Sequence, residues 1–293
     1  ILRCLVGSEM CIRDRAEVGL LSRNILIQGT ANAENDGIGG HIMAMTNGKL
    51  HLDGVELYRM GPRAGIGRYP VHFHLQGDGS QGSVVKNSSI HHTFNRCLTI
   101  HGSNGVLVES VVAYDAPGHC FFLEDGAEFD NTLIGNLGLG IYRPESENAL
   151  LRSDNEFKGP AVFWITNPQN TIRDNVAAGS QGSGFWVALP QHPTGPSYTE
   201  QIWPARMPIQ EFAGNVAHSN GTNGLHVDDG PTGNENGSTS TTFYAAYADP
   251  ANTDSAVIPV TFANMTVYKN RNNGVWLRGR EHIWDGAIVA DNS

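Results

Sequence analysis

Asn215–Gly230 reads NVAHSNGTNGLHVDDG, and its layout decides how the chain folds. An asparagine opens the stretch. A small polar run follows, then the apolar–x–apolar segment Leu225-His226-Val227, then a turn. The layout returns in NSSIHHTFNRCLTIHGSN from Asn87, NVAAGSQGSGFWVALP from Asn175 and NMTVYKNRNNGVWLRG from Asn264. A further copy, ESVVAYDAPGHCFFLEDG from Glu109, carries Ser110 at the asparagine position. Repeats of roughly 20–25 residues with short strands and Asn/Gly corners predict an all-β solenoid, a right-handed parallel β-helix. Equivalent residues would then stack at about the 4.8 Å strand spacing. Asn87, Asn175, Asn215 and Asn264 are expected to form one structural ladder, since asparagine takes left-handed corners and hydrogen-bonds its stacked copies. Helices are disfavoured because the apolar period is two. Leucine-rich and propeller repeats fit worse for want of their signatures.

Three inserts break the period, near 140–159, 190–211 and 230–256. On a solenoid such insertions project from one side and often wall a groove. The middle one, with Tyr198, Trp203 and Arg206, is expected to be such a wall.

Composition agrees with many short strands: 35 glycines and only 16% charged residues. The formal charge of −10 argues against nonspecific nucleic-acid binding. It also means that a polyanionic substrate would need a locally basic or metal-bridged site. No apolar run approaches the roughly 18 residues of a membrane span. Leu5–Arg15, LVGSEMCIRDR, matches one reading frame of a sequencing-library transposon adaptor. Residues 1–15 are therefore expected to be adaptor text, leaving 16–293 as the β-helix domain. The last coil breaks off at AIVADNS, so a fragment at both ends is expected. Outside that segment only Cys97 and Cys120 remain, which define neither a disulfide framework nor a zinc site.

Strand parity assigns the site. Taking Val71/Phe73, Leu98/Ile100, Phe121/Leu123, Phe185/Val187, Leu225/Val227 and Val275/Leu277 as inward leaves two outward columns. One reads His72, Thr99, Phe122, Trp186, His226, Trp276. The other reads His74, His101, Glu124, Ala188, Asp228, Arg278, with Asp125 and Asp229 at the following turns. Imidazoles and carboxylates in a row suit proton transfer in glycosidic cleavage, flanked by exposed rings that stack on sugars. The candidate catalytic residues are His74, His101, Glu124, Asp125, Asp228 and Asp229. In a hydrolase Glu124 or Asp125 would pair with Asp228 or Asp229. In a lyase His74 or His101 would take the proton beside a uronate carboxylate that Arg278 or a bound cation neutralises. The candidate substrate contacts are His72, Phe122, Trp186, His226, Trp276 and Arg278. His74, His101 and Glu124 could equally hold a divalent cation, calcium or a transition metal. For His91, His92 and His119, corner hydrogen bonding is an equal alternative.

These segments carry a wider likeness. EVGLLSRNI at Glu17, GGHI at Gly39, GRYPVHFHLQGD at Gly67, SSIHHTFNRCLTIHGSNG at Ser88, GHCFFLEDG at Gly118, NPQNTI at Asn167, AAGSQGSGFW at Ala177, HPTGPS at His192 and NGVWLRG at Asn273 resemble the family of the cell-migration-inducing hyaluronan-binding protein and transmembrane protein 2. They are more loosely similar to fibrocystin-like proteins. The resemblance implies a parallel β-helix of the cell surface or secreted space that binds and depolymerises hyaluronan or a related acidic glycan, with calcium dependence in some members. It also implies a glycine-rich domain ending just before Glu17. The long cysteine-bearing insert of the animal proteins is missing near 140–159, which suits a bacterial or otherwise distant homologue. The competing expectations are a non-catalytic glycan-binding or adhesive solenoid and a metal site of another chemistry.

Overall fold

The computed structural model describes residues 17–233 and 237–293. The segment read as adaptor text, with Cys4 and Cys11, lies outside the described residues. Among the described residues, three long parallel sheets contain nine, eight and eight strands. Neighbours in each sheet are separated in sequence by a strand in each of the other two, so every coil feeds all three. This is the parallel β-helix that the repeats predict.

The sheet that carries the candidate site runs through Ile42–Met45, Val71–Gly77, Leu98–Ser103, Phe121–Leu123, Ala161–Ile165, Ser183–Val187, Leu225–Val227 and Val275–Leu277. Its register stacks Val71 on Leu98, Leu98 on Phe121, Phe121 on Phe163, Phe163 on Phe185, Phe185 on Leu225 and Leu225 on Val275. These residues face inward, and the first six are buried in the core. Phe121, Phe163 and Phe185 stack face to face with ring centroids 4.7 Å apart at each step. A one-residue slip would expose this column, which is why the register is firmly set.

The corners divide between two positions the work that the sequence suggests for one. Asn136, Asn175 and Asn215 form a ladder, each side-chain amide donating to the next Oδ1 at 2.9 and 3.1 Å. Asn131–Asn170 and Asn220–Asn270–Asn292 form two more. Asn87 and Asn264 are not in the Asn175 ladder. They sit one position earlier, at φ 50° and 51°, in a left-handed column with Ser110, Gly135, Asp174 and Gly214. The residue with positive φ turns the chain, and the next residue points inward to the ladder. Asparagine suits either position, so its identity alone does not say which it occupies.

Cys97 and Cys120, buried in the core, form a disulfide between successive coils, a pairing that the spacing alone does not predict. They are 23 residues apart, whereas the ladder residues Asn175 and Asn215 are 40 apart and Asn220 and Asn270 are 50 apart. The longer separations are coils that hold inserts. No helix among the described residues is long and apolar enough to cross a membrane.

Candidate functional site

The two faces of the site sheet carry different aromatic columns. On the outer face Phe122, Trp164 and Trp186 follow one another, Phe122 stacked on Trp164 at 6.1 Å and Trp164 edge-on to Trp186 at 4.9 Å. The expectation that Phe122 and Trp186 are open sugar platforms is corrected here. They are buried with Ala161 and Ala188 in a second apolar cluster, covered by Leu151 of the first insert. Covering each ring is worth roughly 2–3 kcal/mol, so the insert folds down over them. His72 and His226 are buried as well and offer no open surface. Trp276 alone of these aromatics remains open, 41% exposed.

The covering inserts leave a cleft of about 230 Å³ above the sheet. Its floor holds His101, Glu124, Asp125, Phe122, Trp164, Tyr69 and Arg96. Its walls come from all three inserts: Leu150 and Leu151, then Thr194–Pro196, then Pro231, Gly233 and Gly237. In the middle insert the wall is not built by the three residues singled out from sequence. Tyr198 points outward, Trp203 packs on His192, and Arg206 donates to the Pro250 carbonyl.

His101 stacks directly on His74 in the neighbouring coil, and Glu124 follows the strand Phe121–Leu123 in the next. The register thus puts His74, His101 and Glu124 in consecutive coils, and of the three His101 and Glu124 line the cleft. His101 Nε2 is 2.9 Å from Asp125 Oδ2, and its Nδ1 is 3.4 Å from Glu124 Oε2. The Glu124 side chain is 22% exposed, and Oε2 has no hydrogen-bond partner. Burial, reinforced by Asp125 and Glu128 and opposed by His101 and Arg96, pushes its carboxyl up to about 7. Burial also raises Asp125 above the usual carboxylate range.

Glu128 is missed by strand parity because it lies past the turn, three residues beyond Asp125. Fully buried, it accepts from the backbone amides of Gly102, Asp125 and Gly126 at 2.9, 3.2 and 2.8 Å and from Thr166 Oγ1 at 3.2 Å. Burial and then Asp125 hold it well above the ordinary range. Glu128 thus fixes the turn that presents Asp125. Arg96 and Asp154 are the other pair without a sequence signal, since Asp154 lies in an aperiodic insert. Their buried ion pair, at 3.1 and 3.4 Å, pins the first insert to the floor, with the guanidinium 3.8 Å from the Phe122 ring centroid.

Asp228 and Asp229 do not join this group. From Phe121–Leu123 to Leu225–Val227 is three strand steps, roughly 14 Å at the usual spacing. The acid pairs of glycosidases stand about 5–9.5 Å apart, so a backbone separation of this size disfavours pairing Glu124 or Asp125 with either aspartate. Both aspartates are also engaged. Asp228 accepts from Arg278 Nε, Trp276 Nε1, Thr242 N and Asp229 N at 2.7–3.0 Å. Asp229 pairs with Lys158 and with His226 at 3.0 Å, and despite its burial these partners lower it to about 2. Arg278 and Trp276 are thereby tied to Asp228.

The tentative metal set also changes. The structure brings ring nitrogens of His72, His74 and His101 within 4.8 Å of one another, and Glu124 is not in that group. Three imidazoles do not fit the calcium that the resemblance implies, because calcium takes six to eight oxygens. His91 and His92 meet at 2.8 Å, with His91 3.2 Å from Glu56, as corner hydrogen bonding requires. His119 is a core residue, donating to Ser153 Oγ and accepting from Ala161 N.

The profile described as the CEMIP beta-helix matches residues 37–225. The chain belongs to the CEMIP β-helix family. Human cell surface hyaluronidase CEMIP2 is 38% identical over 95% of this chain. The mouse cell migration-inducing and hyaluronan-binding protein is 36% identical over 98% of it. Mouse fibrocystin-L is 33% identical over 95% of it. The chain spans 23%, 24% and 7% of those three proteins, respectively.

Proposed function

We propose that this CEMIP β-helix belongs to a secreted or cell-surface protein that binds an acidic polysaccharide, hyaluronan or a close analogue, and cuts it internally. The observation that carries this reading is Glu124, a partly exposed carboxyl 3.4 Å from His101 on the floor of a cleft walled by three inserts. Any glycosidic cleavage must place a proton on the leaving oxygen, whether water or an elimination opens the other side. Glu124 is the partly open acid of the cleft that still holds a proton near pH 7, so it serves as the donor. His101, clamped between Glu124 and Asp125, orients that carboxyl, and the Glu128-braced turn sets Asp125. Asp125 is raised but its Oδ2 faces His101, so it acts through the imidazole. Arg96, at the buried base of the floor, moderates the negative field of the acids.

The relatives named as hyaluronidases and hyaluronan-binding proteins supply the glycan class. The Cys97–Cys120 disulfide agrees with an oxidising compartment. The test is chain-length loss of hyaluronan and a panel of other acidic glycans, using full-length protein. Glu124→Gln is expected to lower the cleavage rate by about 10²–10⁴-fold while retaining binding. His101→Ala is expected to abolish cleavage with the fold intact. Products with an ultraviolet-absorbing unsaturated end would mark elimination, and their absence hydrolysis. Full activity in Glu124→Gln would remove Glu124 as the donor, and tight binding by a wild type that never shortens any glycan would leave a binding module.

A further inference from the structure

We propose that His72, His74 and His101 form a binding site for one divalent transition-metal ion, with zinc the reference case. The site follows from the fold. His72 and His74 are two apart on the strand Val71–Gly77 and share its outer face, and the register sets His101 of the next coil opposite His74. The His72 and His101 rings lie parallel at 5.9 Å, with His74 edge-on to both at 4.9 and 5.1 Å.

The hydrogen bonds decide which nitrogens are free. His72 Nδ1 donates to the Gly67 carbonyl at 2.7 Å, which leaves the lone pair on Nε2. That Nε2 is buried and has no partner, in a side chain with no exposed surface. His74 Nδ1 is buried and unpartnered in the same place. His101 Nε2 faces Asp125 Oδ2, which leaves Nδ1 on the side of Glu124 Oε2, another buried atom without a hydrogen bond. An orphaned buried polar atom costs about 1–3 kcal/mol, and two of the three clustered histidines, His72 and His74, each carry one.

Each feature matches what a metal needs. Imidazoles that hold metals usually donate their second nitrogen to a carbonyl or carboxylate, as His72 does to Gly67 and His101 to Asp125. Neutral imidazoles suit zinc, copper, iron and nickel and do not suit calcium. Three protein ligands leave a position for water or an anionic ligand. His74 is partly exposed and gives a route of entry. The other histidine–acid group, His226 with Asp228 and Asp229, differs in the decisive respect. Its atoms are occupied by Lys158, Arg278, Trp276 and Asn223, which leaves none free for a metal.

The inference does not depend on glycan cleavage, and its test reads metal directly. Full-length protein carrying a tag without histidines would be loaded with zinc, dialysed and measured by plasma mass spectrometry and titration calorimetry. Cobalt(II) loading would be followed by its visible spectrum. One ion per chain and a cobalt spectrum abolished by zinc are expected. His74→Ala and His72→Ala should lose the ion, while the exposed His92→Ala keeps it. Asp125→Asn, which touches no metal, should weaken binding by about 10- to 100-fold. Should His72→Ala fail to fold, His74→Ala and Asp125→Asn, checked by circular dichroism, decide the matter. Wild-type protein with no more zinc than His74→Ala would overturn the site. Metal bound with unchanged affinity in both His74→Ala and Asp125→Asn would overturn it as well.

Discussion

Asp154→Asn offers the sharpest test of how the inserts are held over the cleft. In the wild type the buried carboxylate accepts from Arg96 at 3.1 and 3.4 Å, from His119 N at 3.2 Å, and from Leu150 N and Leu151 N at 3.1 and 3.0 Å. An amide has the same shape but turns two N–H donors toward groups that are all donors. It also leaves the Arg96 guanidinium buried without a counter-charge, and its Nε already lacks a partner. Breaking one side of a buried pair in this way costs about 3–5 kcal/mol. For a chain of this size each kcal/mol lowers the melting temperature by roughly 2–4 °C, so a fall of about 10 °C is expected. Differential scanning calorimetry at neutral pH measures it. Replacing both partners, as Arg96→Met with Asp154→Leu, should recover much of the loss, since a packed apolar pair is often neutral or better. Limited proteolysis should then find the 140–159 insert cut faster in Asp154→Asn and protected in the double variant. An Asp154→Asn protein that melts with the wild type would refute the reasoning. So would a double variant no more stable than the single one.

Two further outcomes follow from the same structure. Removing the disulfide in Cys97→Ala/Cys120→Ala should cost about 3 kcal/mol by the loop-closure estimate, read as a lower denaturation midpoint than under oxidising conditions in the wild type. Equal midpoints would show that the coil is fixed by its sheets alone. His119 is buried neutral, its imidazole lowered to about 3 by burial and by Arg96 against the pull of Asp154. The unfolded chain takes up that proton near the ordinary 6.5 and the folded chain does not, so stability falls as pH drops from about 6.5 toward 3. His119→Gln should flatten that limb of the pH–stability curve, and an unchanged slope would sink the assignment.

The parity of the apolar pairs was legible because a β-helix repeats one decision. Val71, Leu98, Phe121, Phe185, Leu225 and Val275 each sit two before another apolar residue, and seven stacked coils hold that register together. The corners were half legible, since asparagine serves both the left-handed turn at Asn87 and the inward ladder at Asn175. Exposure was not legible. Phe122 and Trp186 do point away from the core, as their parity says, but whether an outward ring meets water depends on what folds across it.

The sequence by itself determined the solenoid, the inward columns and the stacking of His74 on His101, because those follow from a local period of two repeated coil by coil. Only the tertiary structure decided that the inserts close over the outer aromatics, that Arg96 and Asp154 meet across 58 residues, and that Glu128 braces the turn of Asp125. It also replaced Glu124 by His72 in the histidine group and set Asp228 and Asp229 three coils away. Those outcomes rest on how aperiodic segments pack and on which buried atoms find partners. No repeat encodes either, because each is a balance struck once, between groups far apart in the chain.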